Sequence, residues 1–242
     1  MSDAVSAGRR TGQVRALVRS AHPKQAVFLA ALVGVLAAVD GRAEREYLLA
    51  AAATLAVQLS LGLSNDLCDQ HHDYRAQTVG KPIASGLLPA SRASYWMTVL
   101  ILLAVPLSMY SGTVAGAALL LTLPVGWVHN RWLHRTAFSW VGWTVTGALL
   151  PAFLAYGGWG KGMHGDPPTY AVTGAAAAVG FCLHFVTTLG DLVDDNKSGA
   201  RNLPLRIALR IGAPRLLVLT ILLTTAAVAG LAVASLTIGL RQ

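Results

Sequence analysis

The stretch that decides the fold covers residues 47–73 and reads YLLAAAATLAVQLSLGLSNDLCDQHHD. Residues 47–64 are apolar and long enough for one membrane-spanning helix, which needs roughly 17 to 25 residues. The polar residues that follow place Asp66, Asp69 and Asp73 at positions i, i+3 and i+7, which lie on one face of a helix. The stretch therefore predicts a membrane helix that ends in a row of carboxylates.

The composition places the chain among integral membrane proteins. Hydrophobic residues make up 54% of the 242 residues and charged residues only 12%, whereas a soluble domain has roughly 25% charged residues. The mean hydropathy is +0.54. We expect two parts: a basic cytoplasmic N-terminal tail over residues 1–24 and one membrane domain over residues 25–242.

Apolar segments of membrane-spanning length recur along the whole chain. They cover residues 25–39, 47–64, 94–110, 112–128, 137–157, 169–189 and 214–240. The sequence therefore predicts an all-α fold, a polytopic bundle of about seven transmembrane helices around a central cavity with a cytoplasmic polar cap.

A second group of acidic residues, Asp191, Asp194 and Asp195, lies at the end of the sixth span. Asp191 and one of the other two again fit the spacing i to i+3 or i+4, and this spacing leaves Asp194 and Asp195 as alternatives. Like charges grouped in this way repel each other, so a cation must offset them. Clustered carboxylate oxygens suit a hard divalent ion such as Mg2+, which also prefers to share phosphate ligands.

The distribution of positive charge predicts the orientation in the membrane. If the spans alternate in direction, one side holds all but four of the 19 Lys and Arg residues. The four exceptions are Arg42, Arg45, Lys161 and Arg241. Because cytoplasmic segments accumulate Lys and Arg, we expect the N-terminus and both acidic groups to face the cytoplasm, in the cytoplasmic (inner) membrane.

The net charge of +8 does not indicate nucleic-acid binding. The chain has no run of Lys and Arg interleaved with aromatic residues and no recognition module. We assign most of the positive charge to topology and to contact with anionic lipid headgroups. The expected partners therefore include membrane lipids and exclude nucleic acid, and the sequence leaves open whether the protein is an oligomer.

At these positions the chain resembles the UbiA superfamily of intramembrane prenyltransferases. Residues 65–73 match every specified position of the family's first motif, Asn-Asp-x-x-Asp-x-x-x-Asp. Residues 81–86, Lys-Pro-Ile-Ala-Ser-Gly, look like its basic-Pro-x-x-Ser-Gly element. Asp191-x-x-x-Asp195, followed by residues 199–204, resembles its second acidic motif and favours Asp195 over Asp194. The resemblance extends over about residues 20–215, and members usually have nine helices.

The resemblance implies an enzyme that ionises an allylic isoprenyl diphosphate with Mg2+ and transfers the prenyl group to an acceptor. The acceptor, an aromatic ring or a lipid among the candidates, is not identified. The implied catalytic Mg2+ ligands are Asp66, Asp69, Asp73, Asp191 and Asp195. The implied contacts to the diphosphate donor are Asn65, Arg75, Lys81, His134, Arg135, Lys197 and Arg201. His134 stands where family members often carry Lys.

Two other functions remain open at the level of the sequence. An intramembrane terpene cyclase would share every motif, because it ionises the same diphosphate and then quenches the carbocation internally. A divalent-cation carrier would need acidic groups along a path across the bilayer. The role of one histidine is also open. His184, inside the sixth span, either lines the cavity or makes a hydrogen bond between helices, and the second role is more common.

Overall fold

The computed structural model describes residues 12–158 and 165–242. Arg9, Arg10 and Lys161, which entered the charge count above, lie outside the described residues. The chain divides into two compact units, Met1–Ser108 and Met109–Gln242. In the described part of both units the regular secondary structure is helical, apart from one isolated β-bridge in the second unit.

The first unit consists of four helices. They are α1 (Gly12–Ser20), α2 (Pro23–Val39), α3 (Glu44–Ala76) and α4 (Ala90–Met109). The chain bends by 57° between α1 and α2. His22 adopts a left-handed conformation at this bend (φ 50°), and Pro23 suits the first turn of α2 because its missing N–H has no partner there. The region predicted as a tail thus contains a helix within its described part.

Small side chains hold the first unit together. On α2, Gly34 lies so close to α3 that an added Cβ would be 3.1 Å from the Cβ of Ala51. A separate apolar core joins α1, α3, the loop after α3, and α4. Its buried members are Ala16, Ala21, Leu63, Ile83, Leu88 and Ala93. This core fixes the loop between α3 and α4 against the polar end of α3.

The second unit contains the remaining helices. They are α5 (Thr113–Val128), a π-helical turn (His129–Leu133), α6 (Trp140–Ala155), α7 (Tyr170–Thr188), a 3-10 turn (Leu189–Asp191), α8 (Leu192–Lys197), α9 (Leu203–Ile211) and α10 (Ala213–Thr237). Helices α6 and α7 cross almost backbone to backbone at Gly147 and Gly180. A Cβ on Gly147 would lie 2.5 Å from the carbonyl oxygen of Ala176, so only glycine fits.

Specific contacts stabilise both ends of the second unit. At one end, Phe185, Leu192, Leu205 and Leu216 form a buried apolar core beneath α8 and α9. At the other end, Arg241 donates hydrogen bonds to two carbonyl oxygens in the last turn of α6, with a distance of 3.0 Å from its Nε to Ala155. Carbonyl groups in the last turn of a helix need donor partners from outside the helix, and Arg241 supplies donors to two of them here.

The helices confirm an all-α membrane fold. Each of the seven predicted spans coincides with an apolar helix. Five helices in the described residues are long and apolar enough to cross a membrane by themselves, and the bent pair of α1 and α2 raises the number to six. Helix α6 is apolar but has only 16 residues. The predicted count of seven is therefore approximate.

Candidate active site

The first acidic group lies on a single continuous helix. Helix α3 continues well past its apolar part to Ala76, and Asp66 and Asp73 are buried on it, with 3% and 8% of their surface exposed. Lys81, from the loop after α3, reaches both of them. Its Nζ lies 2.8 Å from Oδ1 of Asp66 and 3.6 Å from Oδ2 of Asp73. The structure thus brings three of the predicted site residues together.

The local sequence explains how Lys81 reaches this position. Gln77 ends α3 in a left-handed conformation (φ 53°), so the chain turns back towards the carboxylates. The predicted motif that begins at Lys81 is a tight turn, in which the N–H of Ser85 donates to the carbonyl oxygen of Lys81 at 3.0 Å. Ile83 and Leu88 anchor this turn in the apolar core. The Lys-Pro-Ile-Ala-Ser-Gly element therefore directs one cation at the acidic face of α3.

His22 is a member of this site that the sequence analysis missed. Its Nε2 lies 3.1 Å from Oδ1 of Asp66. The turn that bears it can approach α3 because of Gly62, where any Cβ would collide with the backbone of Ala21. His22 is 44 residues from Asp66 in sequence, and no local pattern links the two. The only local signal in the sequence is Gly62, one helical turn before Asp66, because a glycine in a helix can indicate that another segment packs closely against it.

The charge of Lys81 is stabilised by these carboxylates. Burial by itself would lower the pKa of Lys81, but the negative charge of Asp66 and its hydrogen bond, together with Asp73 and Asp69, raise the pKa above its usual value. The ammonium group therefore stays positive at every physiological pH. A fixed positive charge beside a row of carboxylates suits the binding of a diphosphate.

The other predicted residues of the first group are arranged along the same end of α3. Asn65 and Asp69 are half-buried. Arg75 is exposed. The structure therefore separates the two buried carboxylates, Asp66 and Asp73, and their half-buried partner Lys81 from the exposed Arg75.

The second acidic group lies where a helix breaks. Helix α7 ends at Thr188, and the chain passes through a 3-10 turn before α8 begins at Leu192. Asp191 ends this turn and directly precedes α8, so Asp195 still follows it at i+4 across the start of that helix. Asp191 is exposed, whereas Asp195 is half-buried and accepts a hydrogen bond of 2.6 Å from Nδ2 of Asn202.

Two of the predicted diphosphate contacts lie near Asp195. His134 and Arg135 are close enough to interact electrostatically with it, as is Asp191. Nη2 of Arg135 donates to the carbonyl oxygen of Ser198 at 2.8 Å, which links the loop after α5 to the end of α8. Asn202 joins this set as a second residue that the sequence analysis had not assigned to the site.

The remaining predicted cations of this unit point elsewhere or are fixed through the backbone. Lys197 is exposed, and its Nζ lies 3.6 Å from Oδ1 of the equally exposed Asp194. The backbone N–H of Arg201 donates to the carbonyl oxygen of Arg135 at 2.8 Å, and its side chain is exposed. Both residues lie at the rim of the second acidic group.

The role of His184 is resolved in favour of a contact between elements. Its ring is buried, and Nε2 lies 2.8 Å from Oγ of Ser139, the residue that precedes α6. This matches the hydrogen-bond alternative of the sequence analysis. The same Ser139 oxygen accepts the backbone N–H of Leu203 at 3.2 Å. Three chain segments therefore meet at one hydroxyl group.

The chemistry of the first acidic group fits a hard divalent cation. The carboxylates offer only oxygen atoms, and Oδ2 of Asp73 is buried without a hydrogen bond. Across residues 12–158 and 165–242, no three His, Cys, Asp or Glu side chains are already arranged as ligands around one point. The assignment of metal ligands therefore stays a prediction, supported by donor type and burial.

Solved structures with the same fold exist. Two are described as a UbiA homolog from Archaeoglobus fulgidus, one bound to GPP and Mg2+ and one bound to DMAPP and Mg2+. The TM-scores are 0.71 and 0.69, at 16% and 17% identity, and the matches cover 91% of this chain and 78% and 77% of those chains. A structure from work on digeranylgeranylglyceryl phosphate synthase in membranes matches with a TM-score of 0.62 at 16% identity, covering 94% of this chain and 79% of that chain.

At these identities the likeness establishes the fold alone. A search of curated proteins finds no significant match to the sequence. The sequence profile of one family, the UbiA prenyltransferase family, matches residues 27–241, which is most of the chain. The fold, the profile and the motif on α3 agree, and the protein belongs to the UbiA prenyltransferase family.

Proposed function

We propose that the protein is a Mg2+-dependent intramembrane prenyltransferase that ionises an allylic isoprenyl diphosphate and transfers the prenyl group to an acceptor. Family membership supports the general activity. The Archaeoglobus fulgidus homolog, which shares the fold, has been solved with Mg2+ together with GPP or DMAPP. Both of these ligands are allylic diphosphates, the class of donor proposed for this chain.

The observation that best supports the proposal is the pairing of Lys81 with two buried carboxylates. An enzyme that cleaves a diphosphate needs groups that hold Mg2+ and groups that bind phosphate oxygens side by side. Asp66 and Asp73 supply the first kind, and Lys81, 2.8 Å from Asp66, supplies the second. Oδ2 of Asp73 accepts no hydrogen bond and lies 3.6 Å from Nζ of Lys81, so it keeps lone pairs available for a metal ion.

Each set of residues has a distinct task in this proposal. The residues that would hold Mg2+ are Asp66, Asp69, Asp73, Asp191 and Asp195. When bound, Mg2+ neutralises the charge that develops on the leaving pyrophosphate. Asn65, Arg75, Lys81, His134, Arg135, Lys197 and Arg201 would orient the donor and strengthen their contacts as that charge develops.

The apolar helices would serve the second half of the reaction. After the carbon–oxygen bond breaks, the allylic carbocation must meet its acceptor before it meets water. A cavity among the membrane helices would exclude water and admit the isoprenoid chain from the lipid. In this proposal the polar end of the site and the N-terminus face the cytoplasm, and the acceptor is an aromatic ring or a lipid.

The decisive test incubates the purified full-length protein with Mg2+ and allylic diphosphates of several chain lengths, with and without membrane lipid extract or aromatic acceptors. Pyrophosphate release is followed directly, and the extracted products are identified by mass spectrometry. A transferase forms a prenylated acceptor only when an acceptor is supplied. A cyclic hydrocarbon or alcohol formed without an acceptor would instead identify a terpene cyclase.

A variant outside the site provides the matched control. Asp40 lies at the connection between α2 and α3, at the opposite end of α3 from Asp66. Asp40→Asn should release pyrophosphate as the unmodified protein does. If no donor is ionised under any of these conditions, while Mg2+ crosses liposomes that contain the protein, the enzyme assignment is wrong and the carrier is correct.

A further inference from the structure

A chain of buried and half-buried polar groups connects the core of the second unit to Asp195. It consists of Thr188, His184 and Ser139, followed by Leu203 and Asn202. The side chains of Ser139, His184 and Asn202 have 0%, 4% and 3% of their surface exposed. Buried polar groups are costly unless they are hydrogen-bonded, so a chain of this kind is expected to have a task.

The hydrogen bonds around Ser139 are compatible with one assignment of protons. Its Oγ accepts the N–H of Leu203, so its own hydroxyl proton is available for Nε2 of His184 at 2.8 Å. The proton of the imidazole then belongs to Nδ1, which lies 3.5 Å from Oγ1 of Thr188. That hydroxyl donates onward to the carbonyl oxygen of His184 at 2.8 Å. Each group in the chain is satisfied by a neutral histidine.

The chain of hydrogen bonds ends at Asp195, which is a predicted metal ligand. Asn202 directly precedes Leu203, and its Nδ2 donates to Oδ2 of Asp195 at 2.6 Å. The other side-chain atom of Asn202, Oδ1, accepts the N–H of Leu205 at 2.9 Å and so caps α9. Asn202 therefore has no freedom to rotate without breaking one of these contacts.

Asp195 needs support from outside its own helix. It lies on α8, which has only six residues and follows the break after α7. A helix of this length is not stable by itself, so its packing and hydrogen bonds must fix the position of the carboxylate. The segment around Asn202 supplies that support, and Ser139 ties the segment to α6 and α7.

We propose that Ser139 and His184 are positioning residues that hold Asn202, and through it the carboxylate of Asp195, in the orientation that Mg2+ requires. The inference rests on the proposed function, because Asp195 is a metal ligand only in that proposal. Residues that orient ligands from outside the metal site typically change metal affinity or activity by roughly 10- to 100-fold. Neither Ser139 nor His184 touches substrate in this scheme.

The test measures metal binding separately from turnover. Mn2+ serves as the probe, and electron paramagnetic resonance counts the ion bound to the purified full-length protein. Ser139→Ala should weaken Mn2+ binding by about 10-fold and raise the Mg2+ concentration for half-maximal pyrophosphate release by a similar factor. The KM for the donor should change much less, since the phosphate-binding cations are untouched.

Variants at the second position distinguish positioning from packing. His184→Leu removes the partner of Ser139 and should weaken Mn2+ binding, whereas His184→Gln keeps an acceptor near the place of Nε2 and should restore most of it. Thr187→Val is the matched control. Thr187 also donates to the carbonyl oxygen of His184, at 3.0 Å, but it does not contact the ring. This control should bind Mn2+ normally.

The outcomes separate this inference from the proposed function. If the unmodified protein binds Mn2+ and releases pyrophosphate, but Ser139→Ala and His184→Leu bind Mn2+ normally, the positioning role is refuted and the function stands. If the unmodified protein neither binds Mn2+ nor releases pyrophosphate, the positioning role and the proposed function are both wrong. Should Ser139→Ala fail to fold, the two His184 variants decide. Asn202→Ala adds a check: if all three residues act through Asp195, Ser139→Ala adds little to its effect.

Discussion

The two acidic groups share the sequence Asp-Leu-x-Asp, at Asp66 and at Asp191, yet their surroundings differ. Asp66 is buried in the middle of a 33-residue helix and pairs with Lys81 and His22. Asp191 is exposed at the end of a 3-10 turn, and the nearby Asp195 depends on an amide from a later segment. The first group is positioned by helix geometry and the second by hydrogen bonds between segments.

The two acidic groups should therefore respond differently to substitution. A buried carboxylate with a cationic partner cannot be removed without leaving that partner's charge poorly solvated. An exposed carboxylate can be removed at little structural cost. Substitutions in the first group should therefore affect stability and turnover together, and those at Asp191 should affect turnover alone.

The largest effect is expected for Asp66→Ala. The change removes a proposed metal ligand and also leaves Lys81 and His22 without their shared carboxylate. Pyrophosphate release should fall by about 10³-fold or more. The free energy of unfolding should fall by about 1–3 kcal/mol, as expected when a partly buried charge loses its partner. Steady-state release and thermal melting in detergent measure the two effects, and normal turnover in this variant would remove Asp66 from the site.

Asp191→Ala should reduce pyrophosphate release by about 10²-fold, because it also removes a proposed metal ligand. Its melting temperature should equal that of the unmodified protein, since the residue is exposed. The same two measurements apply. A large loss of stability at this position would show that the second group is buried in the membrane-embedded protein, and the contrast between the groups would disappear.

Lys81→Met tests the cation of the first group. The change keeps the length of the side chain and removes its charge, so the KM for the diphosphate donor should rise by about 10-fold or more. Lys81→Arg should recover part of the loss. Lys24→Met, an exposed cation near the start of α2, is the control and should leave KM unchanged. An unaltered KM in Lys81→Met would assign the lysine to ion pairing only.

The smallest effect is expected for Asp194→Asn, within about twofold in turnover, because exposed ion pairs such as Asp194–Lys197 contribute little. Asp195→Asn, made beside it, should reduce turnover far more, since Asp195 is the half-buried partner of Asn202. Comparison of these two variants decides whether Asp194 or Asp195 is the metal ligand, which the sequence spacing left open. The opposite ranking would make Asp194 the ligand.

The sequence predicted the features that depend on local signals. Apolar length located the five helices of the described residues that are long and apolar enough to cross a membrane by themselves, because hydrophobicity over some twenty residues needs no tertiary information. The spacing of Asp66, Asp69 and Asp73 predicted their helix correctly, since α3 continues through all three. The motif resemblance placed Lys81 in the site, and the structure brings it to 2.8 Å from Asp66.

What the sequence could not predict depends on contacts between distant segments. His22 reaches Asp66 only because its left-handed turn packs on Gly62. The sixth span was predicted to end at residue 189, close to the observed end of α7 at Thr188, but the 3-10 turn that follows it, around Gly190, was not predicted. Asn202 was read as part of a motif, and its hydrogen bond to Asp195 became visible only in three dimensions.

The close crossing of α6 and α7 determines whether a hydrocarbon chain can pass between these two helices. At Gly147 and Gly180 the two backbones leave no space for even a single methyl group. A branched hydrocarbon tail is far thicker than a methyl group, so it cannot slip between these two helices at that depth. In the proposed function, a donor that enters from the lipid must therefore pass between a different pair of helices.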